Sequence, residues 1–79
     1  MTNTRTFNGH KNWNHWNVSL WINNDEWLYR MARYFIRNND NRHEAAAAML
    51  QWFAEQDETK TPDGAPYSVS SIRAAMVGM

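Results

Sequence analysis

The chain has 79 residues, with eight Lys or Arg against eight Asp or Glu and no cysteine. That length suits one domain, 1–79, and leaves no room for a second core. The balanced charge argues against a non-specific nucleic-acid binder, and the lack of thiols removes disulfides and Cys-based metal staples.

A domain this small must build its core from large side chains. Five Trp, three Tyr, three Phe and five Met are available, and each aromatic buries about 150–250 Å². No apolar run approaches the ~20 residues of a membrane span. The opening Met-Thr-Asn-Thr-Arg-Thr-Phe-Asn has no apolar h-region, so no signal peptide is expected. These features together predict a cytoplasmic protein without membrane contact.

Residues 1–11 are polar and contain Gly9, which predicts an extended or loosely ordered arm, pinned by Phe7. Residues 12–23 read two ways. Trp13, Trp16 and Leu20 follow i, i+3, i+7, the spacing of one helical face. Trp16, Val18, Leu20 and Ile22 alternate, the spacing of a half-buried strand over residues 15–22. Helix is preferred, because the neighbouring segments are helical and offer no strand to pair with.

Residues 24–38 are a clearer helix. Asn23 followed by Glu26 matches a capping box, and Asp25 and Glu26 suit the positive end of the helix dipole. Leu28, Met31, Ala32 and Phe35 form the predicted buried stripe, with Arg30, Arg33 and Arg37 on the opposite face. Asn38-Asn39-Asp40-Asn41 then breaks the pattern.

Residues 42–56 form the next helix, capped by Asn41 and Glu44. Its Ala45–Ala48 run has the highest helix propensity available. Ala45, Met49, Trp52 and Phe53 share one face. Residues 57–67 are a loop with a Pro62-Asp63-Gly64 turn. Ser68 or Ser70 caps a short last helix that points Val69, Ile72 and Met76 inward, and Gly78 ends it. The predicted fold is all-α, a compact bundle of three to four helices.

Nothing in the sequence carries catalysis. His10 and His15 are five apart and do not share a helical face, so no metal site is expected. Asp25 and Glu26 point about 100° apart on a helix and already serve as caps. No phosphate loop, nucleophile elbow or Cys–His pair is present. The expectation is a non-enzyme without cofactor or metal.

Binding surfaces are the alternative. Trp13, Trp16 and Trp52 fit the core, whereas Trp21 and Trp27 lie beside the main apolar stripe and are expected to be partly exposed. Exposed Trp is enriched at interface hot spots. The acids Glu55, Asp57, Glu58 and Asp63 form a segregated stretch that can imitate phosphates and occupy a basic channel. The Arg30, Arg33, Arg37 stripe is a competing surface for phosphates or an acidic protein, and a solvated helix face is its plainer reading.

The run Asn12-Trp13-Asn14-His15-Trp16-Asn17-Val18-Ser19-Leu20-Trp21-Ile22-Asn23-Asn24-Asp25-Glu26, with Leu28-Tyr29 after it, resembles a group of short uncharacterised phage and prophage proteins. Thr61-Pro62-Asp63-Gly64-Ala65-Pro66-Tyr67 and Ile72-Arg73-Ala74-Ala75-Met76 are similar to that group's ending, and the likeness spans about residues 7–79. The resemblance assigns no residue a role. It implies a phage accessory protein, and small phage proteins of this kind often block host machinery, anti-CRISPR proteins being the best-known class. The expected function is therefore inhibition of bacterial defence in the host cytoplasm, by binding a Cas protein or an RNA-guided ribonucleoprotein. A monomer or small homo-oligomer would act through Trp21, Trp27 and the acids. The rivals are a nucleic-acid-binding accessory protein and a structural or assembly component of the particle.

Overall fold

The computed structural model describes residues 10–79. The expected arm over residues 1–11 therefore lies almost wholly outside the described residues. The chain forms four helices: α1 (Trp13–Asn24), α2 (Glu26–Arg37), α3 (Arg42–Glu55) and α4 (Val69–Ala75). Among the described residues there is no strand, and Lys60 and Pro66 form an isolated antiparallel bridge. The strand alternative for residues 15–22 is thereby overturned: these residues run through α1, where their backbone groups bond within the helix and need no sheet partner.

Asparagine writes several of the helix boundaries. The Asn12 side chain accepts from the backbone N–H of His15, and Asn41 does the same for Glu44, each satisfying a donor that a helix start leaves open. At helix ends the amides reverse role. Asn23 and Asn24 donate to the Ser19 and Leu20 carbonyls, and Asn38 and Asn39 donate to Tyr34 and Phe35. Much of the Asn content is thus a set of helix-end groups.

One residue separates α1 from α2. Asp25 donates its N–H to the Trp21 carbonyl, and its carboxylate accepts from Leu28 N–H. It closes one helix and opens the next, so Asp25 is the cap and Asn23 is not. The expected Asn23–Glu26 box fails because Asn23 lies inside the last turn of α1.

The end of α3 is a Schellman turn. Asp57 N–H bonds to Ala54 O at 3.0 Å and Glu58 N–H to Phe53 O at 2.9 Å. Asp57 occupies the left-handed region at φ 62°, where a side chain is disfavoured. The last helix opens with a full capping box between Ser68 and Ser71, and Gly78 follows its end at φ 89°.

Each helix packs on two neighbours: α1 on α2 and α4, α3 on α2 and α4. The core at the centre is built from Val18, Ile22, Met49, Phe53, Ile72 and Met76 with a set of alanines, Ala32, Ala45, Ala46 and Ala75. Alanines on three helices let the backbones approach closely. The loop between α3 and α4 completes the core with Ala65 and Tyr67, the latter stacked on Phe53 at 3.8 Å and 7°. Burial, then the nearby Glu58 and Asp25 carboxylates, push the Tyr67 phenol up to about 12.

No tryptophan belongs to the fully buried set. Trp13, expected in the core, is 40% exposed, and Trp16 and Trp52 are half-buried. Indoles are too bulky for the narrow space left between alanine-lined helices, so they lie around the rim of the core.

Replacing Asp57 with Gly should stabilise the domain by about 0.5–1 kcal/mol, because glycine reaches the left-handed region without a Cβ penalty. A urea unfolding series comparing the midpoints checks this, and a lower midpoint for the variant would contradict the cap assignment.

Candidate functional site

The long-range polar contacts of the α3–α4 loop define how the predicted site residues are used. Asn17, on the buried side of α1, accepts from the Thr61 hydroxyl at 2.6 Å and donates to the Asp63 carboxylate at 2.9 Å. The same Asp63 oxygen accepts the Trp21 indole N–H at 2.9 Å. Thr61 in turn accepts from Ala65 N–H, and its own N–H bonds back to the Ala65 carbonyl. The Thr61–Ala65 turn is thus clamped to α1 through one buried amide.

This arrangement gives Trp21 and Asp63 an internal partner, each other. The two hydrogen bonds, from Asn17 first and Trp21 second, hold the Asp63 carboxyl below the usual aspartate range, against a smaller opposing effect of desolvation. Sequence reasoning missed Asn17 altogether. The available signal was a polar residue between Trp16 and Val18, at a position the helical period places toward the core.

Trp27 lies in a different environment. It is 60% exposed at the start of α2, and its ring sits 6.4 Å from Trp52 of α3. Trp52 is 6.1 Å from Phe35 and 5.1 Å from Phe53, and Phe35 meets Tyr34 edge-on at 5.3 Å. These are ordinary distances for tilted and edge-to-face aromatic pairs. A continuous chain of rings therefore runs from the buried Phe53–Tyr67 stack outward to two exposed ends, Trp27 and Tyr34, the latter 48% exposed.

At the Trp27 end the rings enclose a shallow hollow of about 250 Å³, walled by Trp27, Leu28, Trp52 and Phe53 and rimmed by Gln56 and Glu58. The structure thereby brings Trp27 and Glu58 to one place. Glu55 and Asp57 are exposed in the flanking turn, with Glu55 accepting from Gln51 at 3.4 Å. Asp63 leaves this acidic group for its clamp with α1. Missing from the sequence reading were Trp52 as a wall and Tyr34 as the second exposed ring. The i, i+7 spacing of Trp27 and Tyr34 on α2 was the signal for the latter.

The arginine stripe is present as expected: Arg30, Arg33 and Arg37 line a shallow surface of α2 with Glu26 and Tyr29. Arg30 is held by Glu26 at 2.6 Å, both side chains largely exposed. Arg33 lies 5.9 Å from the Tyr29 ring. Such exposed pairs contribute little to stability, and the Glu26 partner reduces the stripe's pull on phosphate. Among the described residues, no three His, Cys, Asp or Glu side chains converge as metal ligands do. No helix among them is long and apolar enough to cross a membrane.

Fold and surface together define a small all-helical domain with an aromatic, acid-rimmed face. The chain belongs to the DUF7249 family, a family of unknown function whose model matches residues 3–79. No curated protein and no solved structure matches the chain.

The Asp63 clamp has a pH signature. Because the folded-state pKa lies below the unfolded one, the clamp contributes fully above the unfolded value and is lost as pH falls through the folded value. The Trp21 indole N–H resonance should therefore stay constant from neutral pH down through the ordinary aspartate range and move only below it. The Trp27 indole resonance should not follow. A Trp21 midpoint at or above the ordinary aspartate value would refute the clamp.

Proposed function

We propose that this protein works by stoichiometric binding of a basic protein surface through the α2–α3 aromatic face. The supporting observation is the pairing of exposed aromatic area with negative charge at one spot. Trp27 and Trp52 present rigid apolar area, Glu58 rims it with the exposed Glu55 and Asp57 close by in the chain, and among the described residues no Lys or Arg lines the hollow. Aromatic anchors of this type dominate binding energy, and surrounding charge selects and steers the partner. A surface evolved to hold nucleic acid is basic and complements this face.

Taken with the likeness to short phage proteins, the reading becomes specific. The protein is an inhibitor of bacterial defence of the anti-CRISPR kind, occupying the nucleic-acid channel of a Cas protein or RNA-guided complex. Binding here requires no catalytic residue and no cofactor. The arginine stripe supports a second reading, contact with nucleic acid, only where Arg33 and Arg37 act without Arg30.

The direct test mixes the purified protein with RNA-guided effector complexes and follows co-elution, target-DNA binding and phage survival. The expected result is a stable complex that no longer binds DNA. Trp27→Ala should weaken it at least about 30-fold, the effect of losing a hot spot worth about 2 kcal/mol, while the fold is unchanged because Trp27 is largely exposed. Glu58→Lys should slow association most at low salt. If no effector co-elutes and infection proceeds unhindered, the inhibitor reading fails. Direct DNA binding with a steep salt dependence, lost in an Arg33→Ala/Arg37→Ala variant, would replace it with the nucleic-acid reading.

A further inference from the structure

The seam between α1 and α4 holds a second surface that the aromatic face does not use. Two adjoining hollows of about 500 and 350 Å³ share His15, Ala74 and Val77. His10 and Lys11 line the first, and Arg42 and Arg73 line the second. Among the described residues, every ionisable side chain in these walls is basic, and no Asp or Glu lines either one. In a chain with no net charge, that is a local concentration of basic side chains. The ion pair between Arg30 and Glu26 lies elsewhere, on α2.

The donors are held in position. Arg42 Nε donates to the Met76 carbonyl at 3.2 Å, and Nη2 donates to the Met79 main-chain oxygen at 3.4 Å. That anchors the guanidinium and leaves further N–H groups of its five for a ligand. His15 Nε2 and Ser70 Oγ are 2.6 Å apart, bridging α1 to α4 where the two hollows meet. Val77 is 75% exposed beside them, and with Ala74 it supplies an apolar patch. His15 is less basic than usual, first through burial and then through the charges of Lys11 and His10. The charges of Lys11 and His10 therefore reach the His15 ring, a repulsion that a bound anion would relieve.

We propose that this seam binds a nucleotide-sized ligand with two separated phosphate groups, of the nucleoside 3′,5′-bisphosphate class. One phosphate sits between His10 and Lys11, the other between Arg42 and Arg73, and the nucleoside lies against Ala74 and Val77. Two basic compartments that meet at His15 suit two anions on one spacer better than a single phosphate. The combined size falls within the range of small-ligand sites.

Adenosine 3′,5′-bisphosphate, adenosine monophosphate, adenosine and a ten-residue oligothymidylate are titrated into the protein, with binding followed by calorimetry and by the His15 imidazole resonances. The bisphosphate should bind saturably and raise the His15 titration midpoint, since its anions offset the charges of Lys11 and His10 near that ring. The monophosphate should bind about tenfold more weakly, and adenosine should not bind. Lys11→Ala and Arg73→Ala, both at exposed positions, should each weaken the bisphosphate about tenfold, the loss of one charge-assisted contact. Trp27→Ala should leave this binding unchanged, which separates the seam from the aromatic face. Equal affinity for mono- and bisphosphate, an unmoved His15 midpoint, or binding of the oligonucleotide alone would overturn the proposal.

Discussion

The architecture depends on how the thirteen-residue connection between α3 and α4 is tied down. Among the described residues, the backbones of α1 and α3 do not approach each other closely, each packing on α2 and α4 instead, and the loop ties the two together. It does so with two contacts of different kind. Tyr67 stacks flat on Phe53 of α3, and the Thr61–Asp63 turn bonds to Asn17 of α1. Asn17 is 1% exposed, and a buried amide left without partners costs roughly 1–3 kcal/mol. Here both of its polar ends are satisfied, so the desolvation is offset, and the loop can adopt only the register that meets it.

The same constraint sorts the surface. By drawing Asp63 and Trp21 into a mutual contact, the clamp ties one exposed acid to one half-buried indole. The ring chain ending at Trp27 and Tyr34 lies on α2 and α3, away from the seam between α1 and α4. Alanine content is the second cause. Close helix approach along Ala32, Ala45, Ala46 and Ala75 leaves a thin core of medium-sized side chains. The indoles are displaced to its edge, where they supply contact area and remain partly solvated.

The domain thus separates its charges by helix pair. Acids gather at the α3 end beside aromatic rings, and bases gather where α4 closes on α1. In between, α2 carries an arginine stripe partly neutralised by Glu26. A formally neutral chain can in this way present faces of opposite character, and composition alone conceals that.

Much of the local structure was legible in the residues. The apolar spacing of α2 and α3, the Asn and Ser caps and the Pro62-Asp63-Gly64 turn are short-range effects, and each is decided by neighbours within about four positions. For that reason the all-helical class and most boundaries followed from the sequence. The exception, Asn23 against Asp25, arose because two helices met across a single residue and both positions carry capping chemistry. The roles of Trp13, Trp21, Trp52, Asn17 and Asp63 were settled only by tertiary packing. Their partners lie more than forty positions away, as in Asn17 with Thr61 and Trp21 with Asp63, or on a neighbouring helix, as in Trp27 with Trp52. Helical period states which way a side chain faces, whereas the neighbouring element determines whether that direction meets a core, a hydrogen-bond partner or water.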